Sequence, residues 1–242
     1  MRLISLLFFF CSFATHSSSD KLTIVTEYLY PYQYLNEQKE LVGHSMLLMA
    51  EVFSKVNETS DVQVFPWSRA YQLAISKPNV LIYSLKRSAS RESQFVWGGC
   101  LANDDLYVWG VKGHLDKPLA SFEELRTYSL VVIRDSYTEQ YIRPMNFPNI
   151  YIRSNQDNNV AMLFSNKVDS IIASEQDIIS RSEKLNFDNS QLVKLMKVDE
   201  LSSKLYFAFS LGTEQHIVDK YQQAFEQIQQ RKYSITGYRS CE

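Results

Sequence analysis

A cluster of basic and hydroxyl side chains follows an apolar segment in the first half of the chain. The segment 79–84 lies between a proline and a polar loop, which predicts a short buried strand. Just after such a strand, where open α/β sheets place small-molecule pockets, the chain has Lys86, Ser88, Ser90 and Arg91. An arginine there can bind a carboxylate through two parallel hydrogen bonds. The pattern predicts an anion-binding rim, and the alternative is an ordinary solvated loop.

The first twenty residues have the pattern of a secretory signal peptide. Arg2 precedes an apolar run that is too short to span a bilayer, and small residues follow this run. We expect residues 1–19 to be a cleaved signal peptide, with the cut between Ser17 and Asp20, and the mature protein to be periplasmic. A lipid anchor on Cys11 is the alternative, although bulky phenylalanines precede this cysteine where small residues are normally found.

Composition limits the possible partners. Without the leader the chain keeps Cys100 and Cys241, and in an oxidising compartment such a pair can form a disulfide, although the sequence does not show that the two meet. Two cysteines and scattered histidines do not make a zinc site, so we expect no metal and no cofactor. The chain has 25 basic and 27 acidic residues and no basic block, so nucleic acid is not an expected partner.

Strand and helix patterns alternate along the chain, which is typical of a parallel sheet covered by helices. The first set predicts strands over 22–27, 62–65 and 79–84, and helices that begin at Ser45 and Pro66. A strand-like run covers 104–111. The second set predicts helices at Ser121, after Ser136, through Val160 and from Glu175, and strands over 128–133, 150–152 and 168–173. A last strand over 205–210 and a long helix from Thr213 follow. Two such sets predict two lobes.

Several short motifs stand in a fixed order along the chain. They are the tyrosine-rich loop 27–34, Gly43, the Pro-Trp-Ser-Arg-Ala element 66–70, the segment Arg-Ser-Ala-Ser-Arg-Glu at 87–92 with its tail 95–98, the helix start 121–125 and the Asn-Lys-Val-Asp strand 166–173. In this order they resemble the motifs of the family 3 periplasmic solute-binding proteins, which serve polar amino acid ABC transporters. The likeness covers essentially all of the mature chain.

The resemblance implies an α/β fold of the periplasmic-binding-protein type. In its type II form two α/β lobes are joined by two crossover strands and close about this hinge on a ligand. Lobe 1 would consist of residues 20–106 and 207–242, and lobe 2 of residues 107–206. The crossings would lie near 104–111 and 203–210.

The resemblance also implies a ligand site between the lobes. On the first lobe Arg91 would bind a carboxylate group of the ligand, while Ser88 and the backbone near Lys86 would meet an ammonium group. The aromatic side chains expected to pack on the ligand are Tyr30 or Tyr32, aided by Trp67.

On the second lobe the resemblance implies a helix start that completes the carboxylate site through its backbone donors. The donors would be Ser136, Tyr137 and Thr138. Two positions depart from the family pattern. Ser174 stands where the family has its ammonium-binding aspartate, and Asp135 stands where glycine is common, so that its anion would repel a carboxylate. The ligand is therefore amine-free or differently oriented, or the pocket has drifted.

The implied function is the capture of a small carboxylate-bearing solute, an amino acid or a related compound, for uptake by an ABC permease in the inner membrane. We expect a monomer without enzymatic activity. One alternative is an enzyme of the cyclohexadienyl dehydratase type on the same scaffold, for which Glu175 is the acid candidate beside the cleft. Another is a sensory or orphan ligand-binding module.

Overall fold

The computed structural model describes residues 22–58, 61–236 and 241. The expected signal peptide and the alternative anchor Cys11 lie outside the described residues. Within the described ranges, no helix has both the length and the apolar character that crossing a bilayer requires.

The strands of the described chain form two five-stranded sheets and one small hairpin. The first sheet has the order β4 (Val62–Val64), β1 (Thr23–Thr26), β5 (Val80–Lys86), β12 (Ser203–Ser210) and β6 (Phe95–Asp104). The second sheet has the order β11 (Leu192–Lys197), β7 (Tyr107–Val111), β10 (Ser170–Ala173), β8 (Leu130–Ile133) and β9 (Ile150–Arg153). The hairpin pairs β2 (Tyr34–Leu35) with β3 (Leu41–Val42).

Helices cover both sheets. The α-helices are α1 (His44–Lys55), α2 (Trp67–Ser76), α3 (Phe122–Leu125), α4 (Tyr137–Ile142), α5 (Gln156–Phe164), α6 (Glu175–Lys184) and α7 (Gln215–Thr236), and short 3-10 helices span Glu92–Gln94, Arg143–Met145 and Asn189–Gln191. Strand β1 runs parallel to β4 and β5, and β8 runs parallel to β9 and β10. The carboxyl ends of these parallel strands therefore meet at one edge of each sheet, which is where such sheets place ligands.

Each sheet is buried on both faces, as parallel sheets usually are. Alternate residues of β5 illustrate this: Leu81 and Tyr83 pack in the cluster that includes residues of α1 and α7, whereas Val80 and Ile82 pack in the cluster that includes residues of α2. Since all seven residues of β5 are buried, the strand has no solvent-facing side. This explains why its sequence is a continuous apolar run up to the point where polar residues begin.

The chain passes between the sheets twice. It leaves the first sheet after Asp104, enters the second at Tyr107, and returns between Lys197 and Ser203. Backbone bonding ties the two connections together, since Val198 N donates to Leu106 O at 2.9 Å.

The return crossing differs from its expected place. Residues 203–206 were assigned to the second lobe, but they belong to the first sheet, because β12 pairs with β6 from Ser203 onward. Ser203 and Lys204 are polar, so the apolar pattern alone marked the strand from Leu205. The hydrogen bonds between two strands join backbone groups, so a strand can begin at polar residues such as these.

One local expectation is corrected, and one strand was not predicted. Helix α1 begins at His44 after Gly43, whose φ is 120°, and Ser45 is a buried residue inside the helix rather than its cap. A Cβ on Gly43 would lie 2.5 Å from the carbonyl oxygen of Tyr32, so a glycine is required there. Strand β6 was not expected over its full length because Gly98 and its neighbour Gly99 weaken a strand signal. A Cβ at Gly98 would lie 2.1 Å from the Phe207 ring.

Cys100 and Cys241 form a disulfide, with their Cα atoms 6.2 Å apart. Cys100 belongs to β6 and Cys241 follows α7, which packs on α1 and β6. The C-terminal part of the chain is therefore fastened to the first lobe, and this lobe is built from two separate stretches of sequence.

Replacing Cys100 by serine should lower the free energy of unfolding by about 2–4 kcal/mol, because a disulfide between distant residues restricts the unfolded chain. The two cysteines are 141 residues apart. Calorimetry of the oxidised protein and of Cys100→Ser should show a melting temperature several degrees lower in the variant. A reductant should lower the melting temperature of the wild type and leave the variant unchanged; equal melting temperatures throughout would contradict the prediction.

Candidate functional site

A cavity of about 120 Å³ lies between the two lobes. The first lobe contributes residues at the carboxyl ends of its strands, and the second lobe contributes the ends of β8 and β10 with the helices that follow them. The polar residues that line it are Glu27, Trp67, Ser84, Lys86, Arg91, Asp104, Ser136, Tyr137, Thr138, Gln156, Asn159, Ser174, Asp177 and Arg181. Branched apolar residues such as Val131 and Ile171 form the rest of the wall.

Arg91 is at the cavity and is 1% exposed. Its Nε donates to Gln140 Oε1 at 2.9 Å, its Nη1 to the carbonyl of Lys86 at 3.2 Å, and its Nη2 to the carbonyl of Asp135 at 3.1 Å. Aromatic rings surround the guanidinium, among them Tyr71 with its ring centroid 4.8 Å away. Burial lowers the pKa of Arg91, yet a guanidinium stays charged in proteins. No carboxylate of the described residues pairs with this charge.

The backbone carbonyl of Asp135 joins the lobes. It accepts hydrogen bonds from Trp67 Nε1 at 2.9 Å, from Arg91 Nη2 at 3.1 Å and from Gln140 Nε2 at 3.2 Å. The φ of Asp135 is 59°, a left-handed conformation that Asp tolerates better than most residues and glycine adopts freely. The Asp135 side chain, which was expected to repel a bound carboxylate, does not line the cavity, and its Oδ2 accepts from Gln72 Nε2 at 3.3 Å.

Lys86 lines the cavity, but its ammonium group is already bound. It lies 2.8 Å from Asp104 Oδ2 and donates to the carbonyls of Asp104 and Leu201 at 3.3 and 2.9 Å. Burial lowers the pKa of Lys86 and the neighbouring Asp104 opposes this shift. The backbone carbonyl of Lys86 accepts from Arg91. The ammonium group and the carbonyl of Lys86 are therefore both bound by protein groups.

Ser88 lies outside the cavity lining, on the surface loop after β5. Its hydroxyl is 3.1 Å from the Ser90 hydroxyl, and its carbonyl accepts from the backbone N–H of Arg91 at 3.0 Å. Ser88 thus shapes the loop that holds Arg91 instead of facing the cavity as expected.

Tyr30 and Tyr32 also lie outside the cavity lining. Tyr32 directs its hydroxyl to the carbonyl of Asn103 at 2.6 Å, because a buried phenol needs an acceptor. The Tyr30 ring packs 4.7 Å from the ring of Tyr34, and its backbone N–H donates to Asp177 Oδ1 at 3.4 Å. Trp67 is the aromatic residue of the expected set that reaches the cavity.

The expected second-lobe residues all line the cavity. Ser136 precedes α4 and its hydroxyl accepts from the N–H of Glu139 at 3.1 Å, as its capping spacing predicted. Tyr137 and Thr138 form the first turn of this helix. Ser174 precedes α6, is 4% exposed, and its Oγ has no hydrogen-bond partner among the described residues.

Glu27 is a cavity residue that the sequence did not single out. Its Oε2 accepts from Gln156 Nε2 of the other lobe at 3.1 Å, and no cation of the described chain is in ion-pair contact with it. Burial raises its pKa to about 8, with Arg181 opposing the shift and Asp177 adding to it. Glu27 directly follows β1. This position could have identified it as a candidate, because the carboxyl ends of parallel strands face the ligand in open α/β sheets.

Asp177 was missed as well. Its Oδ2 accepts from Arg181 Nε at 2.8 Å, and Arg181 also binds Asp157 at 2.7 Å and the carbonyl of Tyr28 at 2.8 Å. Burial raises the pKa of Asp177, against the effect of Arg181. The i, i+4 spacing of these two residues on α6 was the available signal. Unlike Glu27, Asp177 is neutralised by a partner.

Glu175 does not reach the cavity. Its side chain is 43% exposed, and its carboxylate pairs with Lys194 at 2.8 Å on the surface. Glu175, the acid candidate suggested by the sequence, therefore does not line the cavity. Among the described residues that do line it, Glu27 is the carboxyl group without an ion pair.

The Glu27→Gln variant should be more stable than the wild type at pH 8 and nearly equal to it at pH 4. Below pH 4.5 the carboxyl is protonated in both the folded and the unfolded chain; as the pH rises toward 8 only the unfolded chain loses its proton, so stability falls. We expect a gain of at least ~1 kcal/mol at pH 8, or roughly 2–4 °C, measured by thermal unfolding without added solute. Glu175→Gln is the control for the same change at the surface, and an identical effect of Glu27→Gln at both pH values would count against the raised pKa.

The Trp67→Phe variant should shift the ligand-free protein toward a more open arrangement of the lobes. It removes the Nε1 donor to the Asp135 carbonyl but keeps an aromatic ring, and one such bond is worth about 1 kcal/mol, a several-fold change in the equilibrium. Small-angle X-ray scattering should show a larger radius of gyration. Trp97→Phe is a matched control because Trp97 Nε1 donates within the first lobe, to the carbonyl of Glu92. Equal radii for the two variants would show that the Trp67 bond does not hold the lobes.

No protein-family model matches this sequence, and a search of curated proteins gives no match. The fold does match solved structures. A histidine kinase sensor domain with similarity to periplasmic binding proteins is 12% identical, with a TM-score of 0.76 over 89% of this chain and 93% of that one. An ancestral arginine-binding protein bound to arginine is 16% identical, with a TM-score of 0.74 over 88% and 96%.

The amino acid ABC transporter substrate-binding protein AbpA from Streptococcus pneumoniae, bound to L-arginine, is 12% identical, with a TM-score of 0.72 over 86% of this chain and 89% of that one. At such identities the likeness concerns the fold. The two sheets, the two crossings and these matches confirm the expected fold class: the chain has the two-lobed α/β fold of periplasmic binding proteins.

Proposed function

We propose that this protein is a periplasmic solute-binding protein that captures a small carboxylate-bearing solute, an amino acid or a related compound, for uptake by an ABC permease. The observation that carries the proposal is the buried guanidinium of Arg91 at a cavity between two lobes. Solved structures of the same fold include an arginine-binding protein and substrate-binding proteins of amino acid ABC transporters, which supports a solute-binding role.

Arg91 can accept an anionic guest. Of the five N–H groups of a guanidinium, three are used by protein acceptors, all of them uncharged. The remaining donors and the unneutralised charge favour a carboxylate, which forms short charge-assisted hydrogen bonds with arginine. The other cations at the cavity are already neutralised, Lys86 by Asp104 and Arg181 by Asp177.

The cavity leaves one cation and one carboxyl group without an ion pair, Arg91 and Glu27. A solute that carries both charges would pair its anionic group with Arg91 and its cationic group with Glu27, whose carboxyl group would then lose its proton, whereas a simple anion would leave this carboxyl group without a partner. This balance favours an amino acid over an amine-free acid. The volume of about 120 Å³ favours a compact solute, since pockets for drug-sized ligands exceed roughly 300 Å³.

Closure of the lobes would enclose such a solute. Hydrogen bonds already cross between them at both sides of the cavity: Arg91 to Gln140, Gln156 to Glu27 and Arg181 to the carbonyl of Tyr28. A solute that contacts both walls would add to these bonds and shift the protein further toward the closed arrangement.

Export and delivery complete the proposal. The signal-peptide pattern of residues 1–19 supports a periplasmic location. In this setting the protein acts as a monomer that presents its closed form to an inner-membrane permease. The likeness to a sensor domain makes a sensory partner the alternative recipient of the same closed form.

Glu27 supports a second candidate function. A carboxyl group whose pKa is raised to about 8 remains protonated at neutral pH and can act as a general acid, as a dehydratase of small carboxylic acids on this scaffold would require. Incubation with cyclic and acyclic carboxylic acids, followed by mass spectrometry of the products, separates the candidates: a binder returns its ligand unchanged, whereas an enzyme converts it.

The first test of the binding role is to identify what the protein carries. Native mass spectrometry of freshly purified protein, followed by denaturation, should release a small carboxylate-bearing compound. That compound should raise the melting temperature of the wild type, and Arg91→Lys should weaken its binding by about 10- to 100-fold, because lysine cannot form the two parallel bonds.

Arg87→Lys is the matched control, since Arg87 pairs with Glu92 at the surface. Circular dichroism should show the same secondary structure in all three proteins. Binding that Arg91→Lys leaves intact would remove Arg91 from the site.

A further inference from the structure

Three polar side chains of the second lobe line the cavity and each leaves one atom without a hydrogen-bond partner. They are Gln156, Asn159 and Ser174, here called the polar cluster. The atoms concerned are Gln156 Oε1, Asn159 Oδ1 and Ser174 Oγ, which find no partner among the described residues. Asn159 is 1% exposed and Ser174 is 4% exposed, so protein atoms enclose both.

A buried polar atom without a partner costs free energy, so most such atoms in native proteins are satisfied. Other buried hydroxyls of this lobe obey the rule, since Ser170 donates to the carbonyl of Ser129 and Ser182 donates to the carbonyl of Ile178. Unpartnered atoms do occur elsewhere in the described chain, for instance Ser45 Oγ. The side chains of the polar cluster differ because all three line one cavity, where a bound solute would be in a position to supply partners.

The chemistry of the polar cluster restricts this solute. Two of its unpartnered atoms are amide oxygens, which only accept hydrogen bonds, and a serine hydroxyl can accept as well. Glu27 belongs to the same wall region, because its carboxylate is bonded to Gln156 Nε2 at 3.1 Å. A group that satisfies these atoms must donate several hydrogen bonds, and a positive charge on it would favour the ionised form of Glu27 and pair with it.

We propose that the polar cluster, together with Glu27, binds a cationic N–H donor group of the solute, an ammonium or a guanidinium. This inference rests on the proposed function and assigns the half of the ligand that Arg91 does not hold. The family that this chain resembles has an ammonium-binding aspartate at the position of Ser174, and serine has no carboxylate. Here the carboxyl group comes from Glu27 on the first lobe and ionises when the cation binds, while the second lobe supplies neutral acceptors.

This division of roles makes the cationic group a bridge between the lobes. Glu27 follows β1 of the first sheet, whereas Gln156 and Asn159 lie on α5 and Ser174 precedes α6. A donor group between them contacts both walls, so its binding requires the lobes to be together. An amine-free acid would contact Arg91 but leave the polar cluster unsatisfied.

Calorimetric titration with small solutes tests the assignment. L-alanine carries both charged groups, propionate only the carboxylate, isopropylamine only the ammonium, and L-arginine an added guanidinium. We expect L-alanine or L-arginine to bind wild type, and Glu27→Gln and Asn159→Leu each to weaken that binding at least about 10-fold. Glu175→Gln, the same change as Glu27→Gln outside the cavity, should have no effect.

The titration separates this inference from the proposed function. Propionate that binds wild type as tightly as the amine-bearing solutes would leave the proposed function standing and overturn the assignment. Unchanged binding of the amine-bearing solutes to Asn159→Leu would also overturn it, and would show that water alone satisfies the polar cluster. If none of these solutes, nor any of the standard amino acids, binds wild type, the proposed function fails and the assignment with it.

A second variant covers the case in which Asn159→Leu does not fold. Asn159→Asp keeps the shape and adds a negative charge, so it should tighten the binding of L-arginine at least several-fold and weaken that of propionate. Weaker binding of L-arginine to Asn159→Asp, with a melting temperature equal to that of wild type, would contradict the assignment.

Discussion

The carbonyl oxygen of Asp135 is the contact on which the arrangement of the two lobes depends. It belongs to the second lobe and accepts hydrogen bonds from Trp67 and Arg91 of the first. Because Arg91 is buried among aromatic rings, its N–H groups need acceptors, and two of the three acceptors that it has, the Asp135 carbonyl and Gln140 Oε1, come from the opposite lobe. Arg91 therefore makes all three of these bonds only when the lobes are together.

Ion pairs involve most of the charged side chains that line the cavity. Six acidic or basic side chains line it, and four of them are matched in two pairs, Lys86 with Asp104 and Arg181 with Asp177. Each of these pairs carries no net charge. The unmatched groups, Arg91 and Glu27, influence each other's pKa. Under the proposed function, these two groups and the neutral acceptors around them would determine specificity.

Much of the fold and part of the site could be predicted from the sequence, because their signals are local. Apolar runs marked the buried strands, and Arg91 reaches the cavity as expected because it closely follows one of them. Strand β6 was harder, since its Gly98 makes room for the ring of Phe207, which is distant in sequence. Ser88 does not reach the cavity, because its hydroxyl lies beside another hydroxyl of its own loop. Glu27 was missed because its role depends on burial and on partners from other elements, and a single sequence shows neither.

The disulfide and α7 attach the C-terminal part of the described chain to the first lobe, so the two lobes differ in how they are connected to the ends of the described chain. Leu22 and Cys241, at the two ends of the described residues, both belong to the first lobe. The second lobe is one uninterrupted excursion between Asp104 and Ser203. A tether at either terminus would therefore hold only the first lobe, and the second would remain free to swing against it.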